Sequence, residues 1–143
     1  MMSRNVEAVR AAYESFNRRD FDGLVRNMVE NIVYTDKARD LNLNGKQKFL
    51  DWCQGWIKAF PDGHITNIEY IDAGDVVVTQ FTFEGTNNGP FAGMPPTGRR
   101  VISGYCEVSR FDNNGRTVSG VGYYDLYTML TQLGHIQPLS AAA

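Results

Sequence analysis

The dominant spacing of apolar residues in this chain changes at Pro61-Asp62-Gly63, and that change limits the folds open to it. Before it the spacing is mostly helical. Val6, Val9, Ala12, Tyr13 and Phe16 fall on one face of a first helix, with Ser3 placed to cap it. Asp20-Phe21-Asp22-Gly23 breaks that helix, and a second short one is predicted through Leu24, Val25, Met28 and Val29. Asn31 to Asp36 alternates as a first strand, and the polar run from Lys37 to Gly45 reads as loop. From Lys46 to Phe60 the stripe Phe49, Trp52, Cys53, Trp56, Phe60 predicts an amphipathic helix, which Pro61-Asp62-Gly63 ends. Beyond that point the period falls to two. Ile65 to Ile71 alternates loosely; Asp75 to Glu84, Arg100 to Phe111 and Thr117 to Tyr124 alternate strongly, the last two joined by the turn Asp112-Asn113-Asn114-Gly115. A short closing helix runs to Leu133, with Gly134 to stop it. Helices followed by a meander of long strands predict an α+β domain, with helices packed on one face of an antiparallel sheet.

Composition narrows the class. At 143 residues the chain is expected to form one domain, residues 1–143, long enough for a real core. A net charge of −2 and a pI near 5.6 leave no basic footprint, so nucleic acid is not an expected partner. No apolar run approaches the roughly 18 residues of a membrane span, and no signal-peptide core opens the chain, so a cytoplasmic location is expected. Cys53 and Cys106 have no metal-ligand spacing and read as reduced thiols. The two histidines, His64 and His135, both occupy turn-like positions expected to be exposed, which predicts no histidine-based metal site. No Ser/His/Asp elbow or phosphate-binding glycine loop is present. Ala141-Ala142-Ala143 is expected to be a frayed tail.

Several local patterns occur together in a fixed order. Tyr13-Glu14-Ser15-Phe16-Asn17 precedes Asp20, and Trp56 precedes Phe60-Pro61-Asp62. Gly74-Asp75 leads into Val76-Val77-Val78, and Gly85-Thr86, Gly89, Phe91, Gly93 and Pro95-Pro96-Thr97-Gly98-Arg99 form a Gly/Pro-rich corner. Tyr124-Asp125 is followed by Gln132-Leu133-Gly134. Over nearly the whole chain this order resembles SnoaL-like polyketide cyclases of the nuclear-transport-factor-2-like superfamily. The resemblance implies a curved antiparallel sheet wrapped by about three N-terminal helices into a cone with an internal, mostly apolar pocket. It also implies intramolecular aldol chemistry without metal or organic cofactor, and a homodimer through the outer sheet face. The corner reads either as a rim over the pocket mouth or as a plain strand connection. One departure stands out: the position matching the family's catalytic aspartate, three residues before Asp125, is Gly122.

Such chemistry needs a carboxylate or imidazole beside a carbonyl in a dry pocket. Three carboxylates are candidates. Glu107 shares a strand face with Tyr105 and falls near the position of a pocket histidine in the family; it becomes a usable base if that face is concave, and a solvated charge if it is convex. Asp125 lies in the closing motif, where it can equally cap the last helix. Asp36 ends the first strand on the face of Tyr34 and either reaches the pocket or lies exposed. Tyr34 or Tyr124 would stabilise an enolate. The expected lining is Tyr34, Phe49, Trp52, Cys53, Trp56, Phe81, Phe83, Tyr105 and Tyr124. Two readings follow: a cofactor-free cyclase, isomerase or hydrolase acting on an apolar polycyclic or polyketide-like molecule, or a non-catalytic module that binds such a ligand or serves as a dimerising scaffold. Val76, Val78, Cys106 and Val108 make the outer strand faces apolar enough for a dimer.

Overall fold

The computed structural model describes residues 2–141; Met1 and the last two alanines of the tail expected to fray lie outside the described residues. Helix α1 (Arg4–Arg18) starts where the Ser3 side chain accepts the Val6 amide and ends at Arg19 in a left-handed conformation. Helix α2 (Phe21–Val25) is capped by Asp20. Strands β1 (Met28–Asp36) and β2 (Leu41–Asn44) precede helix α3 (Lys46–Ala59). Strands β3 (His64–Asp72), β4 (Val76–Thr86), β5 (Arg100–Phe111) and β6 (Thr117–Tyr124) follow, and helix α4 (Leu126–Leu133) closes the order.

The strands form one curved, unclosed sheet in the order β2-β1-β6-β5-β4-β3. Every neighbouring pair is antiparallel except β1 and β6, which run parallel. That pairing corrects two local expectations. Met28 and Val29 leave the second helix because Met28 pairs with Thr117, and Arg116 ties down the Asn27 and Met28 carbonyls. Leu41–Asn44, read as loop, is an edge strand on β1; its alternating half-exposed residues carry too little apolar signal to distinguish an edge from a loop.

Strand parity decides what faces inward. On β4 the residues Val77, Thr79, Phe81 and Phe83 are buried, and on β5 the same side carries Val101, Ser103, Tyr105 and Glu107. Against this face α1 lays Val6, Val9, Tyr13 and Phe16, and α3 lays Phe49, Cys53 and Trp56, in one apolar cluster. Helix α4 buries Met129 and Leu133. Its Gln132 amide both donates to and accepts from the Ile102 backbone at 2.9 Å, where β5 has run past the end of β6.

The Gly/Pro corner is pinned from beneath. Asn87 is fully buried; its amide donates to the Ala59 and Gly89 carbonyls, and its oxygen accepts the Thr97 amide. Gly89 lies so close to the Lys58 carbonyl that any Cβ there would collide with it. The corner is thereby fastened to the end of α3, and Phe91 packs 5.3 Å from the Trp56 ring.

Candidate functional site

Between α1, α3 and the inner sheet face lies a cavity of about 80 Å³. Its wall includes Tyr13 and Phe16 from α1, Phe49, Trp52, Cys53 and Trp56 from α3, and Phe81, Phe83, Tyr105 and Glu107 from the sheet. Seven of the nine expected lining residues are therefore there, whereas Tyr34 and Tyr124 stand behind the wall. Phe81, Tyr105 and Tyr124 stack in sequence, with ring centres 4.8 and 5.0 Å apart. The space is well below the roughly 300–1,000 Å³ of a drug-sized site, so it takes in only part of a polycyclic molecule.

Glu107 is the one carboxylate in that wall. It is partly buried and lines the cavity. Tyr13 donates to its Oε1 at 2.8 Å and Tyr34 to its Oε2 at 2.6 Å. Both hydroxyls have a second partner: Thr79 Oγ1 lies 2.5 Å from Tyr13 Oη, and Tyr105 Oη lies 3.1 Å from Tyr34 Oη. With Glu107 ionised, one proton assignment satisfies the whole chain: Thr79 donates to Tyr13 and Tyr105 to Tyr34, and each inner phenol donates to the carboxylate. Burial raises the Glu107 pKa, and the two tyrosine hydrogen bonds partly offset that by holding the charge. Burial, reinforced by the Glu107 charge, pushes the phenols of Tyr13, Tyr34 and Tyr105 well above their usual value, so they remain donors.

The residue in the place of the family aspartate is directly involved. Gly122 is the cross-strand partner of Glu107. A Cβ at Gly122 would lie 2.5 Å from Tyr105 Oη and closer still to Tyr34 Oη. The volume an aspartate needs is filled by the Tyr34 hydroxyl, which donates to Glu107, and by the Tyr105 hydroxyl paired with it. The carboxylate here sits one strand away from the position the resemblance implied.

The other two candidates part company. Asp36 is 0% exposed, which overturns the exposed alternative, and it is not part of the cavity wall. It accepts from Trp52 Nε1 at 3.0 Å, from Tyr124 Oη at 2.8 Å and from the Arg39 amide at 3.1 Å. This corrects the expectation for Tyr124, whose hydroxyl is committed to Asp36; Tyr34's is committed to Glu107. Asp125 is exposed and caps α4, accepting the Thr128 amide and hydroxyl, which lower its pKa. It therefore leaves the set of candidate acids and bases. His64 pairs at 3.0 Å with Glu84 and lies away from the cavity. His135, expected to be exposed, is partly buried, with Nε2 unpaired. Among the described residues no three His, Cys, Asp or Glu side chains gather as a metal site.

Sequence reasoning missed Tyr13 and Thr79. Tyr13 reads as one more apolar residue of the α1 stripe. Thr79 was findable, because strand parity puts it on the side of Phe81 and Phe83.

Solved structures share this architecture. AclR from Streptomyces galilaeus, a candidate hydroxylase, is 24% identical, with 99% of this chain and 87% of that one covered and a TM-score of 0.83. A candidate SnoaL-like polyketide cyclase from Jannaschia Sp. CCS1 is 21% identical over 95% and 94% of the two chains, with a TM-score of 0.83. IdmH from Streptomyces antibioticus, a candidate polyketide cyclase, is 28% identical over 92% and 99%, with a TM-score of 0.77. No curated protein matches. The family model for SnoaL-like polyketide cyclases matches residues 6–133, and the chain belongs to that family.

Proposed function

We propose that residues 1–143 act as one cofactor-free enzyme domain that moves a proton next to a carbonyl of an apolar polyketide-like or polycyclic molecule, with Glu107 as the base. The observation that carries this reading is Glu107 itself: a carboxylate in the cavity wall, with raised pKa, held by two phenols. Glu107 takes a proton from the carbon beside a carbonyl, and the bonding electrons move onto the carbonyl oxygen as an enolate. Tyr105, whose hydroxyl pairs among the described residues with Tyr34 alone, turns to that oxygen. In a cyclisation the enolate carbon then attacks a second carbonyl of the same molecule. Glu107 returns its proton to the new alkoxide, so no proton is gained or lost. Asp36 holds Trp52 and Tyr124 in position and does not meet the substrate.

The Gly122 departure favours a second reading, a binding domain without catalysis. Proton exchange separates the two. The wild type is expected to speed deuterium uptake at the carbons beside the ketone of 2-tetralone, followed by NMR, and Glu107→Gln to remove that acceleration. Wild type that exchanges no faster than buffer leaves the binding domain as the answer.

We also propose a cytoplasmic homodimer joined through the outer sheet face. Val33, Ile71, Ile102 and Tyr123 are 44, 47, 53 and 46% exposed, around the half-buried Val76, Val78, Cys106 and Val108. Among the described residues no helix is long and apolar enough to cross a membrane. Sedimentation that finds only monomer at micromolar concentration removes the dimer.

A further inference from the structure

A second cleft, of about 470 Å³, lies between β2, α3 and the corner at 90–93. Unlike the inner cavity, it falls in the size range of a small-molecule site. Its floor is apolar, with Leu41, Leu43 and Phe91, and it shares Trp52 and Trp56 with the inner cavity. A molecule seated in it therefore rests against the same two indoles that wall the space around Glu107.

The cleft also concentrates positive charge in a chain whose net charge is −2. Arg39, Lys48 and Lys58 line it against one carboxylate, Asp51, which is already engaged by Gln47 at 2.9 Å. None of the three cations takes part in a salt bridge among the described residues. Arg39 is held with its guanidinium 5.6 Å from the centre of the Phe91 ring, an arrangement that fixes the cation over an apolar surface. A second, independent observation lies in the shared wall. Trp56 is 7% exposed and its Nε1 is buried with no hydrogen-bond partner. A buried N–H without a partner is uncommon, and here it belongs to a residue of the wall between the two spaces.

We propose that this cleft takes the anionic end of an amphiphilic substrate, a carboxylate or phosphate held by Arg39, Lys48 and Lys58, while the apolar portion reaches past Trp52 and Trp56 toward Glu107. The reading rests on the proposed function for its substrate but concerns a different set of residues. It accounts for the mismatch between a cavity of about 80 Å³ and a polycyclic molecule: most of the ligand lies outside the inner space.

The chain has two tryptophans, and both line the two spaces, so intrinsic fluorescence reports binding here without a label. The probes are naphthalene-2-carboxylate, its neutral methyl ester and 2-naphthyl phosphate, titrated into wild type, Arg39→Gln and Lys48→Gln/Lys58→Gln. The carboxylate is expected to bind about tenfold more tightly than the ester at low salt, with most of that preference lost at high salt and in both variants. A phosphate that binds more tightly than the carboxylate points to a phosphate ester as the source, and the reverse order to a free acid. Equal affinity for acid and ester, a preference that survives both variants, or no binding by any probe overturns the proposal. Glu107→Gln leaves the cleft intact and keeps the preference. If that variant still exchanges protons at the wild-type rate, the proposed function fails while the cleft stands.

Discussion

Glu107 and Asp36 are both carboxylates set within the fold and held by neutral donors, and their surroundings differ in two respects. Glu107 opens on the inner cavity, and the phenols that hold it continue into further hydroxyls, Thr79 on one side and Tyr105 on the other. Asp36 has no accessible surface, and its donors, Trp52, Tyr124 and the Arg39 amide, pack as wall. The contrast teaches that burial and hydrogen bonding do not by themselves make an acid functional. What separates the two is access to a space a substrate can enter, and partners whose protons can be redirected.

The contrast predicts a double dissociation. Glu107→Gln should lower turnover about 10²- to 10⁴-fold, the usual worth of a positioned general base, while costing only about 1 kcal/mol of stability, because an amide oxygen still accepts from one phenol. Urea titration beside an exchange assay reads both quantities, and an unimpaired rate breaks the comparison at its active end. Asp36→Ala should behave the other way. It leaves the Trp52 indole, the Tyr124 hydroxyl and the Arg39 amide without their acceptor, at a cost of about 3 kcal/mol. At a temperature where the variant stays folded, turnover should fall by no more than about tenfold, because the base is untouched. A larger loss in kcat than in stability would make Asp36 a participant in the chemistry.

The difference between these two acids was only partly legible in the sequence. Strand parity assigned Glu107 and Tyr105 to one face correctly, and the period change at Pro61 marked where helices give way to the long strands. Which face was inner depends on where α1 and α3 pack, and that is a tertiary fact. Asp36 was harder, because its acceptors are filled by residues 16 and 88 positions away, and a strand-end aspartate has the same local pattern whether it is buried or solvated. Gly122 was read as the loss of an acid. The register of β5 against β6 gives it another meaning, because the cross-strand neighbour carries the carboxylate and the glycine leaves room for the Tyr34 hydroxyl that donates to it and the Tyr105 hydroxyl behind that. β2 was invisible because an edge strand with one half-exposed face has no strong alternation to detect.

Titration sharpens the comparison further. Burial raises the Glu107 pKa, so the folded state holds that proton more tightly than the unfolded chain does. The stabilisation from this group is complete below the unfolded carboxyl value of about 4.3 and is lost as pH rises through the raised folded value. Wild type should therefore lose stability relative to Glu107→Gln over that interval, while its activity rises as the base ionises. Parallel urea titrations across pH read the stability difference, and a difference that stays flat would mean that the two phenols cancel the desolvation completely. Replacing Tyr34 by Phe removes one of those donors, which should move the activity rise to higher pH.

The smallest expected effect belongs to the third carboxylate. Asp125 is exposed, and both its oxygens serve Thr128 at the start of α4. Asp125→Ala should cost about 1 kcal/mol, the typical worth of an N-cap, and leave kcat unchanged. Asp125→Ser, which can still cap, should restore most of the stability. The cap also has a direction in pH. Hydrogen bonds from Thr128 lower the Asp125 pKa, so its stabilisation is present above the unfolded aspartate value and fades as pH falls through the lower folded value. This is opposite in sign to Glu107. A chain in which the capping acid loses its contribution on acidification while the cavity acid loses its own on ionisation separates the two by a pH series alone. If Asp125→Ala lowers kcat and Asp125→Ser does not restore it, the residue acts on the substrate, and the line drawn between the cavity acid and the acids that hold the fold would have to move.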